Sequence, residues 1–458
     1  MELSIKPYIE NKKKIHLVGI GGVSMNSLAE LLLSMGVPVS GSDRAHSAVI
    51  ERLERLGACV HYGHEAQNVE GASLVIRTAA VHDDNPEIMR AHELEIPVME
   101  RAEAWGCLMM DYQDVICLSG THGKTTSTSM MTLIAMQAAL DPTVMVGSNL
   151  PAIGGTLRIG GHECFVAESC EYCNSFLSFS PSIAVILNVE ADHLDFFKDI
   201  DDIVHSFHEF CLRTPENGLV VTNADDIHAM RAVQGVDRKI LTFGVSQTAN
   251  VRPENVTIEN GYYRFDVMAD KQFYTHVELA VPGYHNMLNA LACCAAAWFL
   301  KIAGEHVTAG LAQFKGSSRR FERTGKMKNG ALVVDDYAHH PSEMRATLET
   351  ARQMDFARIF CVFQPHTYTR TKALFSEFTE ALHLCDQAVL APIYAAREQN
   401  TIGIYASDLA KEIPGAESFE NFHEIAAYLE RETREGDLVI TMGAGDIYRV
   451  GQMLVQQA

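Results

Sequence analysis

Nothing in this 458-residue chain is apolar for long enough to cross a membrane as a helix. The longest apolar run, LACCAAAWFL at 291–300, falls well short of the roughly 20 residues a span needs. The opening MELSIKPYIENKKK lacks an apolar core followed by a small-residue cleavage site, so no secretory leader is expected and a cytoplasmic protein is the remaining reading. Basic residues are scarce: 37 Lys and Arg stand against 58 Asp and Glu, a formal charge of −21 with no basic stripe, which excludes a nucleic-acid binder. A second CxxC is missing as well. Without it Cys170 and Cys173, in ESCEYCNSF, cannot complete a zinc ligand set, and the eleven cysteines, an odd number, read as reduced thiols. What remains, 47% hydrophobic and 21% charged, is an ordinary globular composition, long enough for about two to four domains.

The first segment, KKIHLVGIGGVSMNSLAELLLSMGVPVSGSD, reads as strand, glycine turn, helix, strand and acidic residue. Apolar residues at 28, 31, 32 and 35 give the helix one buried face. In the turn, Gly19, Gly21 and Gly22 leave room for a diphosphate to approach backbone N–H groups and the helix start. Asp43 is placed to accept a hydrogen bond from a ribose hydroxyl. Ser24 occupies the place of the third glycine of GxGxxG, which argues against a nicotinamide cofactor; a nucleotide diphosphate fits the turn, and so does a tight turn with no ligand. The α/β alternation continues through Asn85-Pro86, a helix start, to about Gly106.

DVICLSGTHGKTTSTSMMTLIAMQAAL is an apolar strand, a glycine loop and a long helix, the setting a phosphate loop requires. It is not a standard GxxxxGK[ST] loop, because Leu118 stands where the first glycine would be. The loop Gly120, Thr121, His122, Gly123, Lys124, Thr125 and Thr126 is nonetheless an ATP cradle: its glycines let amides curl around an anion, Lys124 supplies charge for the β and γ phosphates, and Thr125 reaches Mg²⁺. Farther on, Glu168 ends a strand, and a buried strand leads into Asn188, Glu190, Asp192 and His193. Glu168 and His193 at such strand ends could complete magnesium coordination; equally, Asp192 and His193 could cap the following helix. The C-terminal third repeats strand, polar turn and helix, with Pro341 just inside one helix start, and indicates a further doubly wound sheet.

Six motifs, GTHGKTT, EADHLDFF, PGYHNMLNALA, SSRRFERTG, DDYAHHPSE and FQPHTYTRT, resemble those of the Mur ligases, in order, from about His16 to about Gly451. The resemblance implies an α/β chain of three domains: a Rossmann-like UDP-sugar domain (1–107), a P-loop ATPase-type domain (108–316) and a Rossmann-like amino-acid domain (317–458). It implies a reaction that joins the lactyl carboxylate of UDP-N-acetylmuramate to L-alanine while ATP becomes ADP and phosphate. A recycling reaction that attaches a whole tripeptide shares most of the motifs and is the alternative.

Carried over by position, Lys124 resembles the family's ATP lysine, and Thr125, Glu168 and His193 its metal ligands. Asn286 and Asn289 match residues that face adenine, Arg320 one that contacts ATP, and Asp336 one that bonds the ribose. Tyr337, His339, His366 and Arg370 would line the amino-acid side. Three positions depart from the family pattern: Ser24 and Ala338 replace glycines, and Thr367 replaces an arginine.

Overall fold

Short buried strands alternate with helices along the chain, the pattern of parallel sheets covered on both faces. The computed structural model describes residues 3–396 and 398–456 and contains three sheets. By contact the chain forms two units. The first holds the residues up to Glu254 together with Asp266–Val277 and Leu288–Gln313; the second holds Asn255–Phe265, Glu278–Met287 and the residues from Phe314 onward. Among the described residues, no helix is long and apolar enough to cross a membrane.

In the first unit, five parallel strands lie in the order Cys59–Tyr62, Val39–Asp43, Ile15–Val18, Leu74–Arg77, Val98–Glu100. The order reverses at Ile15–Val18, so a crevice opens beyond that strand's C-terminal end, where the glycine turn lies. The helix Val23–Ser34 buries Leu28, Leu31 and Leu32, as the periodicity predicts, and Met35 forms its C-cap. Asn85 caps Pro86–Glu93 by accepting from the Glu87 amide at 2.9 Å.

The Glu87 carboxylate is buried under the same sheet. It accepts from Ser42 Oγ at 2.7 Å and Asn68 Nδ2 at 2.8 Å, and it faces His64 Nδ1 at 2.8 Å and His16 Nε2 at 3.4 Å. Burial alone would raise its pKa, but these four partners hold it down at about 2.

The second sheet has ten strands, in the order Gln272–Pro282, Tyr262–Ala269, Val251–Glu259, Lys239–Phe243, Leu219–Asn223, Ile183–Ile186, Asp114–Ser119, Cys164–Glu168, Thr143–Leu150, Gly155–Arg158. From Lys239–Phe243 to Thr143–Leu150 the pairing is parallel, and Gly155–Arg158 closes the edge antiparallel. Asp114–Ser119 is the reversal point, flanked by Cys164–Glu168 and Ile183–Ile186, so the loops after all three strands share one edge.

Within the first unit a continuous apolar core runs from Leu17 and Leu28 through Trp105 to Phe165, Phe176 and Phe207. Trp105 meets Phe165 edge-on at 6.0 Å and donates from Nε1 to Ser24 Oγ at 3.1 Å. Ser24 thus supplies a hydroxyl to a buried indole, which a glycine there could not do.

In the second unit six strands lie in the order Glu322–Lys326, Leu332–Asp336, Leu438–Met442, Ile359–Phe363, Gln387–Leu390, Glu417–Ser418; only the first pairing is antiparallel. Pro341 opens the helix Pro341–Arg352 at its first turn, as expected.

Candidate active site

The phosphate loop joins the strand Asp114–Ser119 to the helix Lys124–Gln137. Gly120 (φ 139°) and Gly123 (φ 82°) adopt backbone that side chains rarely take, and a Cβ on Gly123 would lie 2.6 Å from Asn289 Oδ1. The loop is fastened to the segment after Ile183–Ile186. The His122 amide donates to Asn188 Oδ1 at 2.8 Å, and Asn188 Nδ2 donates back to the His122 carbonyl at 3.1 Å. The Thr121 amide donates to the Asn188 carbonyl, and Thr121 Oγ1 accepts from the Glu190 amide at 2.8 Å.

Lys124 Nζ donates to the Gly120 and Thr121 carbonyls at 2.5 and 3.0 Å and meets both Glu171 oxygens at 3.0 and 3.1 Å. Burial pulls this ammonium's pKa down, but Glu171, together with Cys170 and Glu168, more than offsets that and holds it above the ordinary lysine range. Thr125 Oγ1 donates to Glu168 Oε1 at 2.9 Å, and the Gly147 amide donates to Glu168 Oε2 at 2.6 Å. His193 Nε2 lies 3.8 Å from Glu171, and its ring packs 4.7 Å from that of Tyr172. The helix that follows, Ile200–Leu212, is capped by Asp199, so Asp192 and His193 are not its cap.

Glu171 and Gly147 were not found by sequence reasoning. Glu171 lies three residues past Glu168, inside the CxxC that drew notice to its cysteines; all eleven cysteines are free, and burial pushes the Cys170 thiol up to about 11.

At the first sheet, Gly19 has φ 81°, and Asp43 Oδ2 accepts from the Gly21 amide at 2.9 Å. A Cβ on Gly21 would sit 2.9 Å from that oxygen, while Gly22 caps the helix in ordinary extended backbone. A cleft of about 450 Å³ opens nearby, lined by Arg77, His82 and Glu100 on one side and by Cys173, Asn174 and Ser178 on the other.

In the second unit Tyr337, His339, His366 and Arg370 come together. The Tyr337 and His339 rings are 5.4 Å apart, those of His339 and His366 5.9 Å, and Arg370 Nη1 lies 3.4 Å from His366 Nδ1. Tyr394, not expected from sequence, stacks on His366 at 5.6 Å. Arg320 lies over the Tyr337 ring and pairs with Glu343 at 3.4 Å.

Asp336 is buried. It accepts from the Phe321 and Ala338 amides and from Thr347 Oγ1, and burial raises its carboxyl to about 6. A carboxylate has about four acceptor positions, so one remains beyond these three donors. Thr367, at the position of the family's arginine, has φ 64°, strained for a β-branched residue, and donates its amide to the Tyr394 carbonyl at 2.9 Å. Asn286 and Asn289 are both buried on the helix Tyr284–Phe299, and Asn286 Nδ2 donates to the Pro282 carbonyl at 2.6 Å.

Three family models match the chain in succession: "Mur ligase family, catalytic domain" over residues 14–113, "Mur ligase middle domain" over 118–297, and "Mur ligase, glutamate ligase domain" over 319–445. A UDP-N-acetylmuramate–L-alanine ligase of Acetivibrio thermocellus is 47% identical over 97% of this chain and 96% of its own. The crystal structure of a UDP-N-acetylmuramate-alanine ligase from Thermotoga maritima superposes with a TM-score of 0.82 at 29% identity, covering 97% of this chain and 99% of that one. A murein peptide ligase from Psychrobacter arcticus shares the fold, with a TM-score of 0.72 at 23% identity over 97% and 98% of the two chains. The chain belongs to the Mur ligase family.

Proposed function

We propose that this chain is an ATP-dependent ligase that joins L-alanine to the lactyl carboxylate of UDP-N-acetylmuramate, with release of ADP and phosphate, in cytoplasmic synthesis of peptidoglycan precursors. One observation carries this reading: the phosphate loop, with Lys124 and the Thr125–Glu168 pair at one sheet edge, lies in a chain that aligns end to end with an L-alanine ligase. The tripeptide reading fits less well, since the peptide-ligase structure matches at lower identity and lower TM-score.

A carboxylate is a poor electrophile. It takes the γ-phosphoryl group of ATP to become an acyl phosphate, which the amine of alanine attacks through a tetrahedral intermediate; both steps build negative charge. Lys124 would meet that charge. Thr125 and Glu168 offer two hard oxygens 2.9 Å apart, a pair that fits magnesium, and the His193 imidazole would be the softer, less expected third ligand. Bound there, magnesium would neutralise charge on the phosphates. Asn286, Asn289, Arg320 and Asp336 would hold the nucleotide, and Gly19, Gly21, Gly22 and Asp43 the UDP moiety. Tyr337, His339, His366 and Arg370 would receive alanine beside the muramoyl carboxylate.

The test is phosphate release from ATP with Mg²⁺ and UDP-N-acetylmuramate, comparing L-alanine, L-serine, glycine and the tripeptide. Release is expected with L-alanine and weak with the tripeptide; release only with the tripeptide would move the chain to the recycling reaction.

A further inference from the structure

Lys124 has more acceptors than protons. An ammonium carries three N–H donors, yet Nζ lies within 3.1 Å of four oxygens: two loop carbonyls and both oxygens of Glu171. A phosphate that reaches the loop must therefore take the ammonium from one of these partners. The carbonyls of Gly120 and Thr121 belong to a loop pinned by Asn188 and cannot leave without unmaking it. Glu171 is joined to the ammonium only through its side chain, whose carboxylate is as anionic as a phosphate oxygen. It is also 2% exposed, so a carboxylate abandoned by Lys124 stays in a dry site.

We propose that Glu171 is a positioning residue that acts through Lys124: an internal carboxylate that competes with the nucleotide phosphates for the lysine and sets the affinity for ATP. This rests on the ligase reading above, in which Lys124 serves ATP. Glu171 keeps a buried ammonium satisfied and in place, and its displacement is part of the cost of binding the nucleotide. Removing the carboxylate therefore has two opposite effects. The protein loses a stabilising partner for Lys124, and ATP gains affinity because nothing charged has to be displaced.

The experiment compares wild type, Glu171→Gln, Glu171→Asp, Lys124→Ala and the double variant Lys124→Ala/Glu171→Gln. ATP binding is measured by calorimetry with Mg²⁺, and KM for ATP and for UDP-N-acetylmuramate by phosphate release. Glu171→Gln should bind ATP about tenfold more tightly, the scale of one charge-assisted hydrogen bond. Its KM for ATP should fall in parallel, its KM for the UDP-sugar should stay, and its melting temperature without nucleotide should be lower than that of wild type. Glu171→Asp keeps the charge but withdraws it by one methylene, and should show a smaller tightening; it also serves if the glutamine variant does not fold.

In the Lys124→Ala background the Glu171→Gln change should tighten ATP binding far less, because the contested ammonium is gone. Full tightening in that background would mean plain repulsion between Glu171 and phosphate, and would overturn the proposal. So would unchanged or weaker ATP binding in Glu171→Gln, or equal shifts in both KM values. Wild-type protein that releases no phosphate with any acceptor would instead overturn the ligase reading.

Discussion

Gly147→Ala is the sharpest probe of the site, because a single methyl group meets a single carboxylate. A Cβ built on Gly147 lies 2.6 and 2.7 Å from the two Glu168 oxygens and 2.8 Å from Cδ, closer than side-chain carbons are found in folded proteins. Gly147 is exposed and its φ is not in the left-handed region, so alanine brings no backbone strain. The group that must move is the free end of a glutamate, which costs the fold little, and stability should change by no more than about 1 kcal/mol. Function pays instead. The displaced carboxylate loses the Gly147 amide at 2.6 Å and the Thr125 hydroxyl at 2.9 Å. A hydrogen bond to a charged group contributes about 1.5–3 kcal/mol, so losing the amide and misplacing the oxygen that faces Thr125 should lower kcat/KM by roughly 10–100-fold. The magnesium concentration for half-maximal rate should rise as well. Phosphate-release kinetics over a magnesium titration, with a thermal melt on the same protein, would measure both effects. A Gly147→Ala enzyme with wild-type kcat/KM and magnesium dependence would refute the idea that the position of Glu168 matters to the reaction.

Lys124→Ala should abolish turnover while leaving UDP-sugar affinity, measured by calorimetry, unchanged, because the glycine turn lies on the other sheet. It strands the buried Glu171 carboxylate, so it should cost about 3 kcal/mol of stability in a denaturant melt, most of it restored by adding Glu171→Gln. Asn188→Ala removes both bonds to the His122 peptide and should raise KM for ATP about tenfold, leaving KM for the UDP-sugar alone. Glu87→Gln tests the buried cluster through pH. The Glu87 carboxyl titrates at about 2 in the fold against its ordinary 4.5, so the unfolded chain binds more protons in that window; its stabilisation is complete above pH 4.5 and is lost as pH falls through about 2. The shift corresponds to about 3 kcal/mol, reduced to about 2 by solvent near the half-buried His64. The variant should be less stable by that amount at pH 7 in denaturant melts, and its curve should meet that of wild type at acid pH.

The phosphate loop was legible because its seven residues are consecutive and flanked by an apolar strand and a helix; nothing distant is needed to recognise it. The same holds for Asn85-Pro86 and Pro341 at helix starts, which follow local rules of backbone chemistry. Partnerships set by strand order were not legible. Lys124 meets Glu171 across 47 residues and Gly147 meets Glu168 across 21, and neither separation has any period to read. Ser24 was visible as a departure from GxGxxG, but its reason, Trp105, stands 81 residues away. Asp336 was visible only through its motif, and only the fold turns its oxygens onto Phe321, Ala338 and Thr347.

Strand order explains why the unread residues gather where they do. Glu168 ends a strand whose register sets it beside Leu118, two residues before Gly120, so its side chain has the phosphate loop on one flank. On the other flank runs Thr143–Leu150, where Met145 pairs with Ala167 and the chain then passes Gly147. A glutamate between a loop that needs its oxygen and a neighbouring strand has room to reach the loop only if that strand carries no side chain at the crossing point. The glycine at 147 and the acid at 168 are therefore one structural requirement written in two places. Gly147 and Glu168 lie on neighbouring strands, while Lys124 opens the helix after Asp114–Ser119 and Glu171 lies just past the neighbouring strand Cys164–Glu168. Once the order of the sheet is known, the edge beyond Asp114–Ser119 is where further partners of the phosphate loop have to lie.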